Sequence, residues 1–180
     1  MTNRGPVSFA EDLLDAAEGS GVKVFALFGN MDTHEVRELF EQRGVSIHLR
    51  KVKLSGGWVI AGFGGSGPTP FGTLIEFPED EIYKGLAGLG IGAKTVLATH
   101  APPRDASGLD YARGKPVGSS AIRRIIEERQ PAASLCGHIH ENEGEATIGR
   151  TKVIKVGAAM DGRAVELEVG KGISANFIDL

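Results

Sequence analysis

Cysteine is almost missing from this chain: Cys136 is the only one in 180 residues. A single thiol allows no intrachain disulfide and excludes a tetrahedral site built from cysteine thiolates. Long apolar runs are missing too. No stretch approaches the roughly 20 apolar residues of a membrane span, and the opening MTNRGPVSFAEDLL has no apolar core of signal-peptide length. There is no excess of positive charge, since 20 Lys+Arg stand against 23 Asp+Glu for a net charge of -3 and a pI near 6.0. Without a basic tract, affinity cannot rest on neutralising nucleic-acid phosphates. These absences lead us to expect a protein of the reducing cytoplasm with neither membrane nor nucleic-acid partners.

What is present suits one domain over residues 1–180. The chain is 41% hydrophobic, enough for one core of this size and too little for two. VSFAEDLLDAAEGSG carries Phe9, Leu13, Leu14 and Ala17 at helical spacing and ends in glycine. VKVFALFG reads as a buried strand. DTHEVRELFEQRG reads as a helix capped by Asp32 or Thr33 and stopped at Gly44. VSIHLR, WVIAGFGG and KTVLATH read as strands, and FPEDEIYKGLAGLG as a short helix with Pro78 near its start. SSAIRRIIEERQP gives a serine-capped helix stopped before Pro131, followed by the strand ASLCGH. From Glu145 onward, short strands between glycine-containing turns suggest an antiparallel meander closing a second sheet. The class is α/β.

The loop GFGGSGPTPFG formally satisfies a dinucleotide fingerprint through Gly62, Gly64 and Gly67. That fingerprint works only when a helix N-terminus faces the pyrophosphate, and here Pro68 and Pro70 follow instead. The favoured reading is a tight turn with close backbone approach near a pocket.

Three strand readings end in polar residues: VFALFG at Asn30, TVLAT at His100, and ASLCG at His138 with His140 beyond. In α/β sheets ligands bind outside the carboxyl ends of the strands, so these residues could converge although distant in sequence. An amide oxygen and neutral imidazoles suit a first-row divalent ion, and the lack of thiolates points to manganese, iron, nickel or zinc. Each residue alone has a plainer reading: Asn30 as a turn residue, His100 as a strand-end histidine, and GHIH as a strand exit. His34 and His48 read as exposed or structural, and Cys136 as an inert small hydrophobe.

GNMD at 29–32, THAPPRD at 99–105 and GHIHE at 137–141, in this order, resemble the later signature blocks of the calcineurin-like metallophosphoesterases. GFGGSGPTPFGT and VGSSAIRRIIEERQP are similar to small archaeal-like members. The resemblance implies two packed mixed β-sheets flanked by helices, with metals at the strand ends. It implies that Asn30, His100 and His138 take the places of three ligands of a second metal, and His140 that of one ligand of a first. It also implies hydrolysis of a small phosphomonoester or phosphodiester by a hydroxide held between two metals. Within the resemblance Arg104 would steady the phosphate, or alternatively form a surface ion pair. Asp32 would orient a neighbouring histidine or cap its own helix.

The family pattern opens with an Asp-x-His strand end and continues with a Gly-Asp strand end whose aspartate bridges the metals, and neither strand end stands in the sequence ahead of GNMD. Glu11, Asp12 and Asp15 fall on the solvated face of the first predicted helix. MTNRGP resembles the segment that follows the Gly-Asp, so the expectation is an N-terminally incomplete domain starting just after the bridging aspartate. Without carboxylate charge between them two cations repel strongly, so at most one weakly held ion is expected. Met31 stands where many members place a histidine that protonates the leaving group. Two further expectations follow: an uncovered sheet edge satisfied by homo-oligomerisation, and, as the alternative to catalysis, an inactive phosphoesterase-fold interaction module.

Overall fold

The computed structural model describes residues 4–180. Helix α1 (Val7–Gly19) buries Ala10 and Leu14, while α2 (His34–Gln42) buries Val36 and Phe40. With Phe28, Val45 and Ile75 these side chains form one apolar cluster. The chain between the helices has the pattern of a strand. Among the described residues it makes a single parallel bridge, Ala26 to Ser46, closed by Ala26 N donating to Val45 O at 2.8 Å and Ile47 N to Ala26 O at 3.1 Å. The reading of VSIHLR as one strand is corrected likewise: Ser46 and His48 make isolated bridges, Leu49 takes φ +53°, and β1 (Arg50–Lys53) begins only after that kink.

The remaining strands are β2 (Val59–Phe63), β3 (Thr95–Thr99), the short pair β4 (Tyr111–Ala112) and β5 (Lys115–Pro116), β6 (Ala133–Cys136), β7 (Gly144–Ile148), β8 (Thr151–Lys155), β9 (Arg163–Val169) and β10 (Ile173–Asp179). Six of them form one mixed sheet in the order β1-β2-β3-β6-β8-β7, parallel at its centre and antiparallel at both edges. Helices α3 (Glu79–Ala87) and α4 (Ser120–Arg129) cover one face, where Ile82, Leu86, Ile122, Ile125 and Ile126 pack on Phe63, Leu97 and Val153. Alternate residues Val96, Ala133 and Ile154 point to the other face and meet Val165, Leu167 and Phe177 of the β9–β10 hairpin.

Helix α4 starts as its sequence indicates, with Ser119 Oγ accepting from Ile122 N at 3.2 Å. Glu79 adds a cap from the neighbouring helix, accepting from Ala121 N at 2.6 Å. It ends at Gln130 in the left-handed region, just before Pro131.

The C-terminal meander needs correction. Val153 and Ile154 give β8 an apolar side on each face, so it enters the main sheet parallel to β6, and β7 follows it as the edge strand. Only β9 and β10 form a separate layer, a two-stranded antiparallel hairpin. The architecture is thus a six-stranded mixed sheet flanked by helices, plus a C-terminal hairpin.

Candidate functional site

Strands β3 and β6 are parallel neighbours, so their carboxyl ends share one edge of the sheet. His100 follows one and Gly137–His138 the other. Backbone pairing runs a step beyond the strands, with His100 N donating to Phe63 O at 3.0 Å and Gly137 N to His100 O at 3.1 Å. Asn30 arrives from the extended segment, anchored where Gly65 N donates to Phe28 O at 2.9 Å and Ile75 N to its own carbonyl at 3.0 Å. Asp32 tightens this turn by accepting from Gly29 N at 2.7 Å.

Asn30, His100 and His138 meet. His100 Nε2 lies 3.0 Å from Asn30 Oδ1, and the imidazoles of His100 and His138 are 4.8 Å apart between centroids, tilted by 59°. A β-carbon at Gly29 would stand 2.8 Å from the His100 ring, so the backbone passes against the imidazole. His138 has φ +69°, and Ile139 N donates across it to Gly137 O at 2.9 Å, closing a three-residue turn. Such a conformation costs a β-carbon-bearing residue about 1–3 kcal/mol and is held by its surroundings. The chain is anchored just before the turn, where Gly137 N donates to His100 O and Val156 N to Cys136 O at 2.9 Å, and again beyond it, where Asn142 Nδ2 donates to Tyr111 O at 2.8 Å and the buried ammonium of Lys155 donates to Asn142 O.

Burial pushes His100 down to about 3, helped by the positive charge of His138 and opposed by Asp32. His138 is pushed down to about 4, first by burial, then by His140 and Lys155, with Glu76 opposing. Both rings are therefore neutral near pH 7, each with one nitrogen lone pair.

Sequence reasoning missed a second set of polar groups, Thr69, Thr73 and Glu76. Asn30 Nδ2 lies 2.9 Å from Thr73 Oγ1, which in turn lies 2.5 Å from Glu76 Oε1. Glu76 also accepts from Thr73 N at 2.6 Å, Thr69 Oγ1 at 2.6 Å and Thr69 N at 3.1 Å. Burial is the largest single influence on Glu76 and pushes it up, yet these hydrogen bonds together hold it down at about 2. The available signal was two threonines and a glutamate within one glycine- and proline-rich loop, a composition that suggests side-chain-stabilised turns. The loop itself is the expected turn: Gly65 has φ +78°, a β-carbon at Gly64 would meet Phe28 O at 2.8 Å, and α3 does not begin until Glu79.

The other predicted residues lie farther out. His140 is exposed, near enough for its charge to act on His138. Arg104 sits on the loop after β3, half exposed, with Nε 3.9 Å from Asp105 Oδ2. Asp32 is fully buried, and Thr33 rather than Asp32 occupies the N-cap of α2, without a side-chain cap bond. Glu11, Asp12 and Asp15 are exposed on α1, where Asp15 pairs with Arg43. His34 is exposed, and Cys136 is buried with its thiol pushed up to about 12 by burial. Met1, Thr2 and Asn3 of the MTNRGP segment lie outside the described residues.

Among the described residues no group of three or more His, Cys, Asp or Glu side chains is gathered closely enough to hold a metal ion. Asp32 and Glu76, whose charges reach the two histidines, are engaged by backbone and hydroxyl donors. The three neutral donors fit part of the shell of one divalent ion. They do not fit a dinuclear centre, which needs bridging anionic charge.

Residues 1–142 match the calcineurin-like phosphoesterase family. Uncharacterized protein MJ1162 of Methanocaldococcus jannaschii is 38% identical over 138 residues, which is 74% of this chain and 63% of that protein. The chain therefore spans less than two thirds of that relative's length. A crystal structure with 20% identity superposes with a TM-score of 0.78 over 96% of this chain and 72% of its own. TT1561 of Thermus thermophilus is 16% identical with a TM-score of 0.66, covering 98% of this chain and 83% of that one. At such identities the two structures speak for the fold alone. Strand-end residues Asn30, His100 and His138 meet in space within the stretch that carries the family match, and the chain belongs to the calcineurin-like phosphoesterase family.

Proposed function

We propose that Asn30, His100 and His138 are the neutral ligands of one metal position in a phosphoester hydrolase, with the anionic ligands supplied from outside the described residues. The observation that carries this reading is the convergence of the three side chains at the sheet edge, with His138 held at φ +69° to reach it. The family typically uses divalent metals, and this donor set favours manganese, iron, nickel or zinc over calcium or magnesium. In the same reading His140 belongs to a second metal position, Asp32 acts on His100 as a nearby carboxylate, and Arg104 leaves Asp105 for the phosphate of a small ester. Two packed sheets, the finer architecture of the family, would then need strands beyond those described.

The test is metal analysis of the purified chain, then hydrolysis of chromogenic phosphomonoesters and diesters with added manganese or nickel. It is run beside a longer chain carrying Asp-x-His and Gly-Asp segments. We expect turnover in the longer chain that His138→Ala abolishes. No turnover in either chain overturns the hydrolase reading. That result favours a catalytically inactive interaction module, a reading supported by the lack of a three-ligand acidic or histidine cluster among the described residues.

We further propose self-association through residues 23–28, whose backbone hydrogen bonds among the described residues run through Ala26 and Phe28 alone, to 45–47 and Gly65. Sedimentation should show a dimer or larger species, and a clean monomer at high dilution overturns it.

A further inference from the structure

We infer that Glu76 and Thr73 form a one-way hydrogen-bond relay that turns the Asn30 amide oxygen toward His100 and thereby decides which nitrogen of that imidazole carries the proton. The oxygen and nitrogen of an asparagine amide are nearly the same in shape, so its orientation must follow from the partners. The relay begins at Glu76 Oε1. That oxygen accepts from Thr73 N at 2.6 Å and Thr69 Oγ1 at 2.6 Å, and a carboxylate has no hydrogen to offer. The one hydroxyl hydrogen of Thr73 therefore goes to Glu76, 2.5 Å away.

Thr73 Oγ1 then has only lone pairs left to face Asn30, so the group 2.9 Å from it is the amide NH2. The Asn30 oxygen is left facing His100, 3.0 Å away. Two acceptors cannot pair, so His100 Nε2 carries the hydrogen and Nδ1 the lone pair. The direction of every bond follows from one carboxylate, acting through a threonine 43 residues beyond Asn30. Glu76 and Thr73 are positioning residues, because neither touches His100. The orientation stands on hydrogen-bond geometry alone. The Nε2 hydrogen is a property of the metal-free chain: in the proposed function an ion held by Nε2 would require that hydrogen on Nδ1, and the relay's value there, that oxygen rather than NH2 faces the pocket, rests on that function.

The experiment reads the imidazole nitrogens directly, by two-bond proton–nitrogen correlation on the metal-free, nitrogen-15-labelled chain at pH 7. We expect His100 in the wild-type chain as a single tautomer with the proton on Nε2. Thr73→Val keeps the side-chain shape but removes the hydroxyl, and should replace that pattern by an averaged one or by the Nδ1–H tautomer. Thr73→Ser restores the hydroxyl and should restore the wild-type pattern. Glu76→Gln removes the acceptor-only group and should move His100 in the same direction as Thr73→Val.

His48 serves as the internal reference: its Nδ1 accepts from Gly64 N at 3.0 Å, so it should remain the Nε2–H tautomer in every folded variant. If Thr73→Val loses the His48 pattern as well, the comparison of Thr73→Ser with Glu76→Gln decides. An unchanged His100 pattern in the folded variants that cut the relay overturns the inference. Because no readout involves turnover, a chain without phosphoesterase activity that still shows the predicted tautomer pattern supports the relay and counts only against the hydrolase reading.

Discussion

His48 and His100 are two buried histidines made neutral by the same influence and placed in opposite company. Burial leads the shift in both, to about 4 for His48 and about 3 for His100. The His48 ring lies among Phe28, Phe63 and Phe77 at centroid distances of 4.8, 4.8 and 5.6 Å, and its Nε2 has no hydrogen-bond partner among the described residues. His100 instead meets an amide oxygen and a second imidazole. Depressed basicity therefore reports dehydration in either setting. What separates a packing histidine from a candidate ligand is whether other electron-pair donors aim at the same space.

The contrast depends on the wall between the two environments, and Phe28 is that wall: its ring packs on His48 and the next two residues are Gly29 and Asn30. Phe28→Ala should produce the largest effect, a loss of about 3–5 kcal/mol in chemical denaturation, together with loss of the His100–His138 geometry. A cost below about 1 kcal/mol would mean that the two pockets do not share a wall.

Acid titration sharpens the comparison next. His48 has an ordinary value of 6.5 and a folded value of about 4, so between these limits the unfolded chain binds more protons. Stability contributed by the neutral ring is complete above about pH 6.5 and is lost as pH falls toward about 4, by about 3 kcal/mol for this one group. Thermal unfolding against pH should show the decline, and His48→Leu should flatten it without abolishing it, since His100 and His138 act in the same direction. A slope untouched by that substitution would place the proton uptake elsewhere.

The smallest effect has the opposite sign. His138→Gly removes the β-carbon from a φ +69° position and should stabilise the fold by about 1 kcal/mol while deleting a donor from the site. If it destabilises, the turn is supported by the imidazole rather than strained by it.

Much of this arrangement could be read from the residues before any coordinates. Ser119 and Pro131 bracket α4, and the apolar runs before His100 and His138 are the strands that place them at one edge, because local caps and buried-strand patterns act over a few residues. Residues 23–28 carry an equally good strand pattern and make one bridge only among the described residues, since a ladder needs a neighbour that stays in register and sequence pattern does not say which neighbours arrive. The place of β8 is hidden for the same reason: nothing local reveals that Lys155, the last residue of the strand, is buried with its ammonium on the Asn142 carbonyl. Thr73 and Glu76 escape notice because their role lies in the direction of hydrogen bonds across a loop. The convergence of Asn30, His100 and His138 is legible because all three directly follow segments that read as buried strands, and the outward position of His140 is not, because the turn at His138 redirects the chain.

The close passage of Gly29 against His100 ties the fates of two distant positions. With only 2.8 Å between the ring and the place a methyl group would occupy, any lineage that enlarges residue 29 must first shrink or displace the side chain at 100. Paired replacement at these two sites, rather than independent drift, is the evolutionary trace that such steric interlock leaves.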